Sequence, residues 1–175
     1  HNLEPFWDHY WKNGENDKLG WRLEYNMKHR GDVYATHGLG PVAQALDIHR
    51  GDRMKTLVAM DTKSVVGKSL VEERTGQPCE NFRNGDHTTT LIRTENGKVI
   101  EIQHDVMTPQ PYNRLYQLTG TKGFANKYPI EGYALDAKQL NASGVVPEVD
   151  NLNSHSFMPK KDMEALVQKS QHPIL

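Results

Sequence analysis

Short apolar runs broken by turn residues, rather than long helical stripes, dominate this chain of 175 residues. Met54 to Asp61 is one such run, bounded by Gly51-Asp52 and a polar stretch, and it predicts a buried strand. Thr88 to Glu95 and Lys98 to Gln103 flank Asn96-Gly97, two residues that tolerate positive φ, so a two-residue type I′ hairpin is predicted. Its register would set Glu95 opposite Lys98 and Leu91 opposite Ile102, with one hairpin face in the core. A further strand is expected from Arg114 to Thr119, between the breakers Pro109 and Pro111 and the turn Gly120-Thr121-Lys122-Gly123.

Helical periodicity is confined to two places. Val42, Ala45 and Leu46 recur at i, i+3, i+4 behind Pro41, which suits a first helical position, so a helix is predicted from about Pro41 to Ile48 with its start open by one turn. Met163, Leu166 and Val167 share one side of a short helix expected over Lys160 to Lys169. Gly67 to Asp86 reads as a surface excursion, and Ala137 to Pro159 as mostly loop. Several strands, few helices and a hairpin predict an α+β fold with an open, mostly antiparallel sheet.

Composition adds one thing to this picture. The apolar fraction is 36%, about 44% with the 14 glycines, slightly under the roughly 45–50% of ordinary domains. Phe6, Trp7, Tyr10, Trp11, Trp21 and Tyr25 crowd the first 25 positions around a turn-rich loop from Lys12 to Lys18. Some face of a single domain spanning residues 1–175 is therefore expected to be completed by another domain or subunit.

Charge and motifs exclude several classes. Lys plus Arg number 21 against 22 Asp plus Glu, with no run of five like charges, so no nucleic-acid partner is expected. No stretch approaches the roughly 18 apolar residues of a spanning helix. A lone Cys79, in a polar loop, cannot form an internal disulfide, and the nine histidines show no H-E-x-x-H spacing, so no metal is expected. The start, His1-Asn2-Leu3-Glu4, reads as a cut in a longer chain. No G-x-G-x-x-G occurs, so the usual dinucleotide cradle is not expected within these residues.

Candidate chemistry gathers before the first predicted helix. Tyr34 and His37 are three apart, and a helical turn there would put them on one face. An imidazole in that place would serve as acid or base near neutrality. On spacing alone, a Tyr and a His merely satisfied at a helix end is the stronger reading. Arg22, beside Trp21, would grip a hydroxyl, carbonyl or carboxylate with its planar fork, although surface arginines beside tryptophan are common. Tyr116 alternates with Leu115 and Gln117, where a packed aromatic is the plainer reading.

The longer words of the sequence shift these weights. Trp21-Arg22-Leu23-Glu24-Tyr25, His29-Arg30-Gly31-Asp32-Val33-Tyr34-Ala35-Thr36-His37-Gly38-Leu39-Gly40-Pro41-Val42, Phe82-Arg83-Asn84-Gly85-Asp86-His87-Thr88-Thr89-Thr90 and Gln103-His104-Asp105-Val106-Met107-Thr108-Pro109-Gln110-Pro111-Tyr112 closely resemble glycoside hydrolase family 109. That family comprises bacterial alpha-N-acetylgalactosaminidases within the wider Gfo/Idh/MocA oxidoreductase group, and the likeness runs over nearly the whole chain. It implies an α+β C-terminal domain that covers the nicotinamide of NAD and often builds a homo-oligomer through its sheet. The NAD-binding Rossmann domain would precede it and be absent from this chain, so this piece by itself is expected to be silent.

The resemblance also implies site residues. Glu4, Pro5, Phe6, Trp7 and Asp8 match a stretch approaching NAD. Arg22 matches a substrate-binding arginine, and Tyr34, Ala35, Thr36 and His37 a substrate-binding turn whose Tyr34 also touches the cofactor. Tyr116 matches a further sugar contact, Tyr34 and His37 would be catalytic, and a second catalytic tyrosine would lie upstream. The implied reaction on a terminal alpha-linked N-acetylgalactosamine is oxidation at C3, elimination, water addition and reduction, an exception to two-carboxylate glycosidases. The resemblance favours a periplasmic or exported setting. The rival readings are an NAD(P)-dependent sugar oxidoreductase of the same group and a non-enzymatic carbohydrate-binding module.

Overall fold

The computed structural model describes residues 21–111, 113–128, 130–135, 157–158 and 160–170. The chain divides into two compact units, His1–Tyr112 and Asn113–Leu175. Four helices and two small antiparallel sheets are present among the described residues, which is the α+β class expected. No helix among them is long and apolar enough to cross a membrane.

The first unit runs α1 (Trp21–Lys28), α2 (Thr36–Ala45), β1 (Met54–Asp61), α3 (Val66–Thr75), β2 (His87–Thr94) and β3 (Val99–Asp105). The three strands form one antiparallel sheet in the order β1-β2-β3. Successive side chains of a strand point to opposite faces, and in β2 and β3 the even-numbered ones are the buried set: Thr88, Thr90, Ile92, Thr94, Ile100 and His104. A separate apolar cluster ties α1 to α3, with Leu23, Val71, Cys79 and Met107 buried and Met27, Leu70 and Phe82 packed on them. Cys79 thus belongs to the core rather than to an open polar loop.

The hairpin forms, but one residue away from the expected register. Leu91 faces Glu101 and Ile92 faces Ile100, so the connection is the three residues 95–97. Gly97 alone takes a positive φ, +81°, as in a type I turn closed by a left-handed residue. The tip is held from outside. Asp52 Oδ1 accepts from Arg53 N at 2.8 Å and Asn96 N at 3.1 Å, and Glu95 N donates to Arg53 O at 2.9 Å. A one-residue shift exchanges the two faces of a strand, and these tertiary bonds select the even face for burial.

Two other expectations are corrected. β1 has the predicted extent but is exposed from Met54 to Met60, with Met60 at 76% and Leu57 at 60%, because side chains leave a strand at its faces and no described residues cover those of β1. Gly67 to Asp86 is not all excursion, since it contains most of α3. The cap of α3 comes from afar in sequence: Asp86 accepts from Val65 N and Val66 N through Oδ2 and from Gly67 N through Oδ1, at 2.8–3.0 Å. Such a cap leaves no local signature. Gly85, beside it, has no room for a side chain, as a Cβ would lie 2.4 Å from Thr62 O.

The second unit contains β4 (Gln117–Thr119), β5 (Gly123–Asn126), β6 (Gly132–Leu135) and α4 (Lys160–Ser170), the strands pairing in that order. β4 is shorter than expected, and Tyr116 precedes it with its carbonyl accepting from Lys127 N at 2.9 Å. The predicted last helix is present as α4. Its Met163 and Leu166 pack with Tyr133 and Leu135 around buried Met158, while Val167 stays exposed. Most of the expected loop from Ala137 to Pro159 lies outside the described residues.

Two outcomes test this scaffold. Asp86→Ala takes the acceptor from three backbone N–H donors at once and should destabilise α3 by about 2 kcal/mol, read as faster amide exchange at Ser69 to Glu73 with β2 protection retained. Asp52 sits in a buried place that disfavours its charge, yet Thr94, the Asn96 and Arg53 amides and Lys98 together hold it at about 2, below the ordinary 3.8. A depressed carboxyl stabilises the fold above its unfolded value and loses that contribution as pH falls from 3.8 towards 2. Protection of the hairpin-tip amides should decline across that window, and Asp52→Asn should flatten the decline.

Candidate functional site

The turn between α1 and α2 carries the clearest candidate chemistry, and it is positioned by a buried polar network. Asn84 is fully buried. Its Nδ2 donates to Asn26 Oδ1 at 2.7 Å and its Oδ1 accepts from Gly31 N at 3.1 Å, while its own backbone N–H donates to Asn26 O. Asn26 Nδ2 in turn donates to Arg22 O at 2.8 Å. One side chain of the loop before β2 therefore locks both α1 and the exit from it. Gly31 has φ +97°, which a side chain would strain. Arg30 then grips Asp61 of β1 with two bonds, at 2.9 and 2.6 Å.

From this anchor the chain enters α2. Asp32 Oδ1 accepts from Tyr34 N at 3.2 Å. Ala35 stands at the helix start and offers no capping side chain. Pro41 lies inside α2 rather than at its first position, and its ring cannot donate the hydrogen bond that His37 O would receive in an unbroken helix. The helix begins one turn before the predicted Pro41, so Thr36 and His37 belong to its first turn.

Tyr34 and His37 stack, with ring centroids 4.8 Å apart and planes inclined by 15°. Tyr34 is 47% exposed, His37 is exposed, and neither belongs to an apolar cluster. The pair presents a flat aromatic face with an imidazole edge to solvent. Thr36 is exposed and Ala35 half-buried beside them.

Arg22 is half-buried on the first turn of α1, joined to the same network through its carbonyl. Tyr116 falls in the second unit, where burial pushes its hydroxyl above the usual tyrosine range. Glu4, Pro5, Phe6, Trp7 and Asp8 lie outside the described residues.

Two groups near the turn have no spacing that would single them out. His104 is buried on the even face of β3, its Nε2 without a hydrogen-bond partner, and Asp32 Oδ2 is likewise buried and unpartnered. Burial pushes His104 below the ordinary histidine range, and the negative charges of Asp32 and Asp105 oppose that push. Asp105 itself organises the segment after β3, accepting from Met107 N, Thr108 N, Thr108 Oγ1, Gln110 Nε2 and His87 Nδ1.

The long motif words are thus largely the joints of this scaffold, and comparison with known proteins agrees with them. The family profile described as Glycosyl hydrolase 109, C-terminal domain, matches residues 8–174. The chain belongs to that family. It is 83% identical over 175 residues to Glycosyl hydrolase family 109 protein 5 of Phocaeicola vulgatus and 82% identical to protein 4 of the same organism, covering all of this chain and 34% of each relative. A Glycosyl hydrolase family 109 protein of Porphyromonas gingivalis is 56% identical over 174 residues, covering 99% of this chain and 36% of that protein. The chain spans about a third of the length of these relatives.

If Asn84 is the joint that positions the turn, Asn84→Ala should cost about 1–3 kcal/mol through the polar groups it leaves unpaired. NMR should show the loss at the Gly31 amide and in the ring-current shifts of Tyr34 and His37. Unchanged shifts at both places would dismiss the joint.

Proposed function

We propose that this chain forms the substrate-facing part of an NAD-dependent alpha-N-acetylgalactosaminidase. The observation that carries the proposal is the exposed Tyr34–His37 stack, held on a rigid polar anchor at an uncapped helix start in a family 109 chain. A planar nicotinamide fits such a surface, since aromatic faces pair with flat rings at similar spacing. Tyr34, with the Glu4 to Asp8 stretch, would be its contacts in this chain. Bound NAD would supply a reversible acceptor for the hydride at the sugar C3.

The roles of this chain's side chains are those the family resemblance implies, and the exposure of Tyr34 and His37 supports them. His37, whose imidazole edge is open, takes the proton of the sugar C3 hydroxyl. Tyr34 orients sugar and nicotinamide by stacking. Arg22 holds the sugar, with Ala35 and Thr36 completing the turn against it, and Tyr116 enters as a further sugar contact on the family resemblance alone. The nucleotide-binding domain belongs to the remaining two thirds of the protein, in keeping with the length of the relatives. The exposed apolar strand β1, with Leu57, Val58 and Met60, supports a homo-oligomer built through the sheet.

Full-length protein incubated with an aryl alpha-N-acetylgalactosaminide and NAD should release the phenol without net accumulation of reduced NAD. His37→Ala should slow that release by about 10²–10⁴-fold, the usual worth of a positioned acid or base. Stoichiometric build-up of reduced NAD would instead identify a sugar dehydrogenase. Sugar binding without turnover, undiminished in His37→Ala, would identify a binding module.

A further inference from the structure

One stripe of α1 carries a second ring pair, which the proposed reaction does not use. Tyr25 and His29 stack with centroids 3.9 Å apart and planes inclined by 15°. Tyr25 is 42% exposed, His29 is exposed, and neither joins an apolar cluster of the described residues. The imidazole is held in place: its Nδ1 bonds to Tyr25 O at 3.0 Å, beside its own backbone N–H at 2.9 Å. A carbonyl only accepts, so Nδ1 carries the proton and Nε2 of the neutral ring is an acceptor. Arg22 stands three residues before Tyr25 and seven before His29, which sets the three side chains within about 60° of one another around the helix and about 10 Å along it. On one side of this stripe Leu23 and Asn26 turn inward and are buried, and on the other Glu24 and Lys28 neutralise each other. Asn84 binds both Asn26 of this helix and Gly31 ahead of the Tyr34–His37 turn, so the two ring pairs are held by one side chain.

We infer that the Tyr25–His29 face is a subsite for the second pyranose of the glycan, the ring joined to C1 of the sugar that Arg22 holds, an inference that rests on the proposed function. A pyranose has C–H bonds on its faces and hydroxyls at its rim. The stacked rings match both surfaces, since the Tyr25 face is flat and apolar with a hydroxyl at its tip, and the fixed imidazole edge supplies a polar partner for a rim hydroxyl. The stripe begins at Arg22 and runs on past it by one ring pair, which is the room a following sugar needs. The chain belongs to a family of glycosyl hydrolases, whose scissile bond joins one sugar to whatever comes next. A protein partner fits this stripe poorly, because a specific interface covers about 800 Å² on each side, and here a single ring pair lies between a buried stripe and a neutralised ion pair. Rings that already stack in the free protein need little ordering when the sugar arrives, so little of the contact is lost to immobilising them.

The test uses full-length protein with NAD, as wild type, Tyr25→Ala, Tyr25→Phe and His29→Ala, on two substrates. One is methyl alpha-N-acetylgalactosaminide, which has no second ring. The other is N-acetylgalactosamine alpha-linked to glucose, whose equatorial hydroxyls leave C–H bonds on both faces. Released N-acetylgalactosamine is measured for each, and the comparison of variant with wild type cancels the difference between the leaving groups. Tyr25→Ala should lower kcat/KM for the disaccharide relative to the methyl glycoside by about three- to tenfold, the usual worth of one aromatic contact, with the change mainly in KM. His29→Ala should lower the same ratio by less, and Tyr25→Phe, which keeps the face, should restore most of it. An equal effect of Tyr25→Ala on both substrates, or none on either, overturns the subsite and leaves the proposed function standing. An equal loss accompanied by weaker NAD binding also overturns it and gives the face to the cofactor. If Tyr25→Ala does not fold, His29→Ala decides through the same ratio. Wild-type protein inactive on both substrates refutes the proposed function and the subsite with it.

Discussion

The buried side-chain amide of Asn84, which bonds α1 and the turn after it from more than fifty residues away in the chain, is the contact on which the described arrangement of the first unit depends. An amide offers two donors and two acceptor sites, and here they are spent on fixing Asn26 of α1 and Gly31 of the following turn at once. Without that lock α1 would be free to slide over α3, since the apolar contacts between them are non-directional. With it, the residues from Gly31 onwards have a defined starting direction, and the stacked rings of Tyr34 and His37 a defined place.

The same device recurs wherever irregular backbone must be held. Asp86 closes the start of α3, Asp52 grips the hairpin tip and Asp105 gathers the turn after β3. Each is a carboxylate accepting several backbone or side-chain donors, and bonds to a charged acceptor are stronger than neutral ones. Among its described residues the first unit is thus a thin sheet and three short helices joined by point anchors as much as by apolar packing. A scaffold of this kind leaves apolar surface over, which is why β1 can be both rich in Leu57, Val58 and Met60 and exposed among the described residues.

Part of this was legible from local pattern. The extent of β1, the position of the hairpin and the last helix follow from apolar runs, Asn-Gly and i, i+3, i+4 spacing, because each of those signals acts within a few residues. The α+β class follows from the mixture. The Tyr34–His37 stack was also within reach, because a helical turn brings residues three apart onto one face. What misled was equally local. Asn-Gly predicts a two-residue turn, but Asp52 and Arg53 bind the tip and shift the pairing by one residue.

By itself, then, the order of residues determined β1, the hairpin strands, α2, α4 and which family words the chain carries, since these depend on near neighbours and on long exact stretches of sequence, whereas α1, α3, β5 and β6 were not read from it. Register, the burial of His104, the cap of α3 and the anchoring of the Gly31 turn were decided only by tertiary structure. The register, the cap and the anchoring each join a polar group to a partner some twenty to fifty residues away along the chain, and a desolvated polar group takes whatever partner the fold brings to it, for which no spacing along the chain stands as a sign.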